Sequence, residues 1–258
     1  MKKIDLSYQK NVRDIGGLVG IDGKKVKYGK LYRGGFLGRL SKKDIEVIKS
    51  LHLTDVCDFR SKVEYTDRPD YKFKGVKYHN FPALIDNEEL KKNNDYDDSN
   101  LLWFLGTNRN GKLHMVKSYN ESAFSDVGIK AYKNFFKVLL TDKDQVVYFH
   151  CSQGKDRAGL ASFFIEMGLG VSYHDALIDY LLSNEAMNIK LKQLKVLLKD
   201  KPFFDEEYVA ALEDVFTADE NYLSSVVTEI NRRYGSVINY LKEVLEVDLD
   251  KLREYYLE

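Results

Sequence analysis

A predicted strand, a short loop and a predicted helix follow one another at residues 145–167, and this succession constrains the fold most strongly. Residues 145–149 are almost all apolar, which is typical of a buried strand, and residues 160–167 are typical of an apolar helix. The ten residues between them, HCSQGKDRAG, we call the cysteine loop. A strand that enters a tight turn and then a helix directs backbone N–H groups and the positive helix end into one anion-binding cavity.

The cysteine loop places Cys151 and Arg157 six positions apart. Partial positive charges that bind an anion also stabilise a thiolate, so Cys151 is predicted to be a nucleophile. Arg157 presents a fork of N–H donors that matches two phosphoryl oxygens. These parts suit a reaction in which Cys151 attacks phosphorus, a general acid protonates the leaving oxygen and water hydrolyses the phosphocysteine. Because the positive loop would stabilise the phosphoryl oxygens, neither a metal ion nor another cofactor is expected.

Two interpretations of the cysteine loop without catalysis, a chance match and a cysteine that only packs, are less well supported than a catalytic one. A cysteine six residues before an arginine arises often by chance, and a cysteine at the end of a buried strand is usually inert packing. The strand–loop–helix context favours catalysis instead. A nucleotide-binding P-loop is disfavoured, because Gly154 and Lys155 lack the earlier glycine and the following Ser or Thr of that motif.

Composition excludes several other classes. The chain has 258 residues, enough for one α/β domain, and a single domain over 1–258 is predicted. Lys plus Arg and Asp plus Glu both count 40, so no nucleic-acid partner is expected. Two cysteines are too few for a disulfide scaffold and favour a cytoplasmic location, with secretion of a longer precursor left open. No apolar run follows the first lysines, and no window of about 18 apolar residues predicts a membrane span.

Strands and helices alternate before the cysteine loop, and helices dominate after it. The predicted elements before the loop are a hairpin turning at Asp22-Gly23, a helix capped by Ser41, strands at 53–59 and 76–81, and a helix at 129–140. The helices predicted after it are 159–168, 173–182, 185–199, 205–216, 219–233, 235–243 and 248–256. This order predicts an α/β fold with a mostly parallel central sheet flanked by helices and a helical C-terminal half.

Residues 86–126 differ in composition from the rest of the chain. A polar run at 91–100 is followed by an apolar and aromatic cluster at 101–105. Such a sequence is consistent with a mobile insert, or lid, whose apolar side closes over a site. An ordinary surface loop that packs its aromatic side chains on the core is the alternative interpretation.

The cysteine loop closely resembles the signature loop of bacterial atypical protein tyrosine phosphatases, which commonly reads HCxAGKDRTG. Other segments agree with that family in the expected order: NVRDIGG at 11–17, LYRGG at 31–35, DFRS at 58–61 with Glu64, YLLSN at 180–184 and YGS at 234–236. The resemblance covers nearly the whole chain. It implies a tyrosine-phosphatase-like fold with a helical lid, and activity on phosphotyrosine and often on phosphoinositides.

The motifs define a set of candidate site residues around the nucleophile Cys151 and the phosphate-binding Arg157. The candidates for substrate binding are Ser152, Gln153, Gly154, Lys155, Ala158 and Arg60. Lysine is common at the position of Lys155 in phosphoinositide phosphatases, which suggests an extra phosphate contact, with a solvated lysine as the alternative. His150 is expected to support the loop through a hydrogen bond.

The general acid is expected to be an aspartate, and two candidates are open. In enzymes with a GKDR loop the aspartate within the loop has been proposed, which is Asp156 here. Asp58 is the second candidate, because it ends a strand predicted to point to the same edge of the sheet. Each has a structural alternative: Asp156 could cap the following helix or pair with an arginine, and Asp58 could only orient Arg60. Asp86 and Asp126 are weaker candidates.

Three residues depart from the family pattern. Ala158 stands where the family has Thr or Ser, whose hydroxyl is thought to help the thiolate leave the phosphoenzyme, so a slow second step is expected. Gln153 stands where alanine is common, and Gly34 replaces a serine. The missing hydroxyl leaves open a catalytically weak phosphate-binding module. A rhodanese-like sulfurtransferase, which also uses a cysteine loop at a helix end, is disfavoured by the Lys-Asp-Arg run at 155–157.

Cys57 lies one residue before Asp58 in a predicted strand. A small buried strand residue is the simpler interpretation. The alternative is a resolving cysteine that forms a disulfide with Cys151 and protects it from over-oxidation.

Overall fold

The computed structural model describes residues 1–84 and 109–258. Within these ranges the sheet has six strands in the order β1-β2-β3-β6-β4-β5. The strands are β1 Lys2–Lys3, β2 Arg13–Asp14, β3 Leu31–Gly35, β4 Asp55–Asp58, β5 Lys77–Asn80 and β6 Val147–Cys151. β3, β6, β4 and β5 are parallel, while β2 pairs antiparallel with β1 and with β3. The prediction of a mostly parallel sheet is therefore confirmed.

Helices flank the sheet and make up most of the chain after β6, as predicted. They are α1 Lys42–Lys49, α2 Lys62–Asp67, α3 Gly111–Phe124, α4 Asp126–Leu139, α5 Arg157–Gly168, α6 Tyr173–Leu181, α7 Ser183–Leu198, α8 Glu206–Phe216, α9 Glu220–Tyr234, α10 Val237–Asn239 and α11 Leu249–Tyr256. The helix predicted at 235–243 is shorter than expected, because α10 continues into a π-helical turn, Tyr240–Val244. Gly235 ends α9 with a φ of 78°, a left-handed conformation that glycine adopts without strain.

β6 lies in the middle of the parallel part of the sheet, and all five of its residues are buried. Its side chains alternate between two apolar clusters, as the period of a strand requires. Tyr148 packs with Val56 of β4 and Ile48 of α1 on one face, whereas Phe149 packs with Cys57 on the other. Because both faces of β6 are covered, the end of the strand where the cysteine loop begins is firmly held.

The hairpin predicted at Asp22-Gly23 is reduced to a single bridge. Val19 pairs with Lys25, and Ile21–Gly23 forms a short 3-10 turn. The backbone N–H and C=O groups of Lys25 both form hydrogen bonds with the backbone of Glu258. This contact between distant parts of the chain replaces the longer ladder that the local sequence suggested.

The predicted insert at 86–126 falls largely on residues that the structure does not describe. Residues 86–108, with Asp86, lie outside the described ranges, so the lid stays a prediction. The remainder forms α3, which packs against α8 and α9, and Asp126 is the first residue of α4.

Candidate active site

The cysteine loop joins the end of β6 to the start of α5. Cys151 is the last residue of β6, and Arg157 is the first residue of α5. The parallel register sets Gly35 of β3 beside Cys151 and Asp58 of β4 beside His150. Three parallel strands therefore deliver their carboxyl ends to one edge of the sheet, where binding sites of such sheets usually lie.

Residues outside the cysteine loop donate hydrogen bonds to its backbone carbonyl groups, so these carbonyls are bound from outside the loop. Four consecutive ones each accept a hydrogen bond: Ser152 from Phe36 N at 3.5 Å, Gln153 from Asn11 Nδ2 at 2.9 Å, Gly154 from Arg33 Nε at 3.0 Å and Lys155 from Arg33 Nη2 at 3.0 Å. The C=O and N–H of a trans peptide point in opposite directions. The outward carbonyls therefore turn the N–H groups of the next four residues to the concave side, where an oxyanion can bind.

Gly154 is required at its position in the cysteine loop. Its φ is +70°, and a Cβ there would lie 2.3 Å from the Gly34 carbonyl carbon of β3. The loop thus rests directly on the β3 backbone. Gly34 has its own constraint, because a Cβ there would lie 2.1 Å from Tyr148 Oη, and that hydroxyl donates to the Gly35 carbonyl at 2.7 Å. Tyr148 therefore occupies the space that a serine at position 34 would need.

Arg33 is held in place by a buried ion pair network. Its Nη1 lies 2.6 Å from Asp179 Oδ2, and Arg13 Nε lies 2.7 Å from Asp179 Oδ1. Burial alone would raise the pKa of Asp179, but the two guanidinium groups hold it well below its usual range. Asp179 of α6 thereby fixes Arg33, which binds two loop carbonyls. The LYRGG motif includes Arg33, but the sequence does not predict that Arg33 binds the carbonyls of the cysteine loop.

Arg157 is oriented by Glu64, a residue whose place in the site the sequence does not predict. Arg157 Nη1 lies 2.5 Å from Glu64 Oε2, and Nη2 lies 2.9 Å from Oε1. Ser152 Oγ also donates to Glu64 Oε1. Burial opposes ionisation of Glu64. The positive charge of Arg157 and the hydrogen bonds from Arg157, Ser152 and Ser61 outweigh it and lower the pKa of Glu64 to about 2. The signal in the sequence was the capping box of α2, in which Glu64 bonds Ser61 N.

Asp58 and Arg60 pair with each other in the interior. Arg60 Nε lies 3.0 Å from both Asp58 oxygens, Arg60 Nη2 lies 2.7 Å from Asp58 Oδ2, and Nη1 donates to the Arg68 carbonyl. Arg60 is fully buried and Asp58 nearly so. This geometry favours the alternative in which Asp58 orients Arg60, and it directs the Arg60 donors into the protein rather than toward a substrate.

His150 supports the cysteine loop from within the sheet. Its ring is fully buried, Nε2 lies 3.0 Å from Asp70 Oδ2, and Nδ1 lies 3.2 Å from the Cys151 carbonyl. Burial lowers the pKa of His150, but the charges of Asp70 and Asp58 outweigh it and raise the pKa.

One group of possible metal ligands occurs among the described residues. Oxygen and nitrogen atoms of Asp58, Asp70 and His150 lie within 4.8 Å of one another. Arg60 Nη2 lies 3.2 Å from Asp70 Oδ2 and also pairs with Asp58. Because the Arg60 guanidinium already pairs with both carboxylates and would repel a second cation, this donor set does not fit a resident metal ion.

Lys155 extends away from the concave side of the loop. Its side chain is 2% exposed, and Nζ donates to the carbonyls of Val215 and Thr217 at the end of α8. A helix C-terminus attracts a cation, which explains this position. The ammonium is neither solvated nor placed as the predicted phosphate contact, and it ties the loop to the helical half.

Asp156 is the aspartate that the loop itself presents. Its side chain is 30% exposed, and Oδ1 accepts a hydrogen bond from Tyr119 Oη at 2.7 Å. Its side chain makes no capping bond to α5. Ala158 is fully buried in the first turn of α5.

Cys57 and Cys151 are both free and buried. Cys57 pairs with Phe149, two residues before Cys151. Strand spacing and rise put the two cysteine Cα atoms roughly 8 Å apart, beyond the roughly 7 Å that a disulfide spans without backbone movement. Burial, with Asp55 and Asp58 nearby, raises the pKa of the Cys57 thiol well above its usual value. The placement favours a packing role, and the redox role stays an untested prediction.

Within the described ranges, no helix combines the length and apolar character needed to span a bilayer.

The comparisons with known proteins agree with the geometry. A protein of Cupriavidus necator, whose name assigns it provisionally to the tyrosine-protein phosphatases, is 31% identical over 251 residues, which covers 96% of this chain and 85% of that protein. The triple specificity protein phosphatase PtpB of Mycobacterium tuberculosis is 26% identical over 246 residues, which covers 83% of this chain and 85% of that protein. Residues 4–258 match the model of the tyrosine phosphatase family, and the chain belongs to that family.

Proposed function

We propose that the protein hydrolyses phosphomonoesters through a phosphocysteine on Cys151, with phosphotyrosine in proteins as its main substrate class and phosphoinositides as a second. The observation that supports this proposal most is the set of four loop carbonyls bound from outside. It leaves the facing N–H groups available for the equatorial oxygens of a phosphoryl group.

In the first step the Cys151 thiolate attacks phosphorus, and an S–P bond forms as the P–O bond to the leaving group breaks. The Arg157 guanidinium, which Glu64 holds in position, donates hydrogen bonds to two phosphoryl oxygens. Asp156 gives its proton to the leaving oxygen, since its partly exposed carboxyl belongs to the loop itself. The products are phosphocysteine and an alcohol or phenol.

In the second step water attacks phosphorus and gives a proton to the Asp156 carboxylate. The S–P bond breaks, and Cys151 leaves as a thiolate together with inorganic phosphate. Ala158 offers no hydroxyl to assist this departure, and the loop hydroxyl of Ser152 donates to Glu64.

The side chains of the remaining candidate residues do not bind the phosphoryl group in this proposal. Gln153 and Gly154 contribute backbone N–H groups, and Lys155 anchors the loop to α8. Arg60 and Asp58 brace His150 beneath the loop. We place the enzyme in a reducing compartment such as the cytoplasm, because both cysteines are free and the thiolate must stay reduced.

Hydrolysis of p-nitrophenyl phosphate, in the presence of a chelator, tests this proposal. We expect activity in the wild-type protein and none in Cys151→Ser. Full activity in the serine variant would refute the cysteine mechanism. An inactive wild type that still binds phosphate would instead favour the phosphate-binding module suggested by Ala158. Phosphotyrosine peptides and phosphoinositides then rank the two substrate classes.

A further inference from the structure

Asp156 is hydrogen-bonded to a pair of buried tyrosines. Tyr119 Oη of α3 lies 2.7 Å from Asp156 Oδ1 and 2.7 Å from Tyr180 Oη of α6. Both tyrosines are 1% exposed, whereas the Asp156 side chain is 30% exposed. The carboxyl group of Asp156 therefore links the buried pair to the open side of the cysteine loop.

The number of protons fixes the direction of these hydrogen bonds. Burial, with the nearby charge of Asp156, raises the pKa of both Tyr119 and Tyr180, so both stay neutral with one proton each. An ionised Asp156 only accepts, so Tyr119 donates to it and must accept from Tyr180. The other acceptor for Tyr180 Oη, the Asp219 carbonyl, is farther away at 3.5 Å. While Asp156 is ionised, the chain of donors therefore runs from Tyr180 to Tyr119 to Asp156.

We propose that Tyr119 is a positioning residue for the general acid and that it selects which oxygen of Asp156 delivers the proton. This inference rests on the proposed function, in which Asp156 protonates the leaving oxygen. When Asp156 takes up its proton and Tyr119 keeps donating to Oδ1, the acid proton sits on Oδ2, and the hydrogen bond restrains rotation of the carboxyl group. A restrained donor protonates the leaving oxygen more effectively than a freely rotating one. Tyr180 in turn orients the Tyr119 hydroxyl.

Other charged and titratable groups also lie around Asp156. Lys155 Nζ forms a longer ion pair with the same Oδ1, at 3.3 Å, while it also donates to two carbonyls of the α8 end. Arg157 is paired with Glu64. Within the described part of the chain, His114, Tyr132 and Tyr222 also interact with the Asp156 charge. Among these groups, Tyr119 makes the short hydroxyl contact that sets the orientation of the carboxyl group.

Aryl phosphates whose phenols differ in acidity test the proposal, because a poor leaving group needs the acid and a good one does not. Tyr119→Phe removes only the hydroxyl. We expect it to lose about 10- to 100-fold in kcat/KM on phenyl phosphate, part of a general-acid contribution, and little on 2,4-dinitrophenyl phosphate, because kcat/KM reports the step in which the leaving group departs. Tyr222→Phe is the matched control, since the Tyr222 ring packs at a tilt against Tyr119 with centroids 5.6 Å apart while its hydroxyl donates to the Asp214 carbonyl. Its effect should be the same on every substrate.

Asp156→Asn separates this inference from the proposed function. If Asp156→Asn is selectively slow on phenyl phosphate and Tyr119→Phe is not, the positioning role is refuted and the phosphatase mechanism stands. If Asp156→Asn is also unselective, Asp156 is not the acid and the positioning role is refuted with it, although Cys151-dependent hydrolysis remains. A wild type without Cys151-dependent hydrolysis refutes both. If Tyr119→Phe does not fold, Tyr180→Phe interrupts the same chain and should show the same selectivity to a smaller degree.

Discussion

The guanidinium of Arg157 forms a two-pronged ion pair with Glu64, with N–O distances of 2.5 and 2.9 Å. The two side chains are only 12% and 9% exposed. Glu64 also bonds the backbone N–H of Ser61 at the start of α2. One carboxylate therefore joins the start of a helix near β4 to the arginine that opens α5, and the orientation of Arg157 depends on a residue 93 positions away.

Replacing Glu64 should weaken both activity and stability. Glu64→Gln keeps the shape but leaves the buried Arg157 without its counter-charge, so the free energy of unfolding should fall by about 3 kcal/mol. With Arg157 misplaced, kcat/KM on p-nitrophenyl phosphate should fall about 100-fold. Chemical denaturation and steady-state kinetics measure the two effects. Glu46→Gln, in an exposed pair with Lys49, is the control and should change stability by less than about 0.5 kcal/mol. Equal effects in both variants would contradict this role of Glu64.

Acid should remove the stabilisation that Glu64 supplies. Its pKa in the folded protein is about 2, below its usual value of 4.5, so its contribution is present above the usual value and is lost as the pH falls toward 2. The difference in unfolding free energy between the wild type and Glu64→Gln should therefore be largest near neutral pH and should shrink between about pH 5 and pH 2. Urea denaturation at several pH values measures it. A difference that stays constant over this range would show that the charge of Glu64 is not the cause.

Releasing one loop carbonyl should weaken oxyanion binding. Asn11 Nδ2 donates to the Gln153 carbonyl at 2.9 Å, and Asn11→Ala leaves that peptide free to turn. The loss of about 1 kcal/mol should raise the inhibition constant of vanadate about 5-fold. Asn120→Ala is the matched control, because Asn120 bonds the Val116 carbonyl and Ser225 away from the loop. An unchanged vanadate constant in Asn11→Ala would contradict the account of the outward carbonyls.

Serine at position 34 should cost less stability when Tyr148 lacks its hydroxyl. A Cβ on Gly34 would lie 2.1 Å from Tyr148 Oη, so Gly34→Ser should cost about 1–3 kcal/mol of unfolding free energy. The double variant Gly34→Ser with Tyr148→Phe should recover part of that loss. A double-mutant cycle measured by denaturation gives the coupling between the two positions. If the effects of the two substitutions are additive, the Tyr148 hydroxyl is not what excludes a side chain at position 34.

Ala158 should make breakdown of the phosphoenzyme slow. Rapid mixing with p-nitrophenyl phosphate should give a burst of nitrophenol followed by slower turnover. Ala158→Thr supplies a hydroxyl in the buried first turn of α5 and should speed the slow phase. Ala158→Val has the same shape without the hydroxyl and should not. If the valine variant matches the threonine variant, packing rather than the hydroxyl controls the step.

Local sequence order was sufficient to predict the strand, loop and helix around Cys151, because neighbouring residues define these elements. The capping of α1 by Ser41 was predictable for the same reason. The C-terminal helices were recognisable from their periodicity, although the π-helical turn at Tyr240–Val244 was not. The single domain at 1–258 and the lid stay predictions.

Contacts between distant positions set the parts of the site that the sequence left open. Lys155 was interpreted as a phosphate contact, but its Nζ bonds carbonyls of residues 215 and 217, about 60 positions later. Arg60 was assigned to substrate, but Asp58, Asp70 and the Arg68 carbonyl occupy its donors. No local pattern shows where such long side chains find their partners.

We expect Cys151 to carry the phosphoryl group during turnover. Asp156→Asn should slow hydrolysis of the intermediate, so acid quenching of this variant with 2,4-dinitrophenyl phosphate should trap it. Mass spectrometry of the digested protein should then find one added phosphoryl group on the peptide that contains Cys151. A phosphoryl group on another residue, or wild-type turnover that persists in Cys151→Ser, would contradict the account.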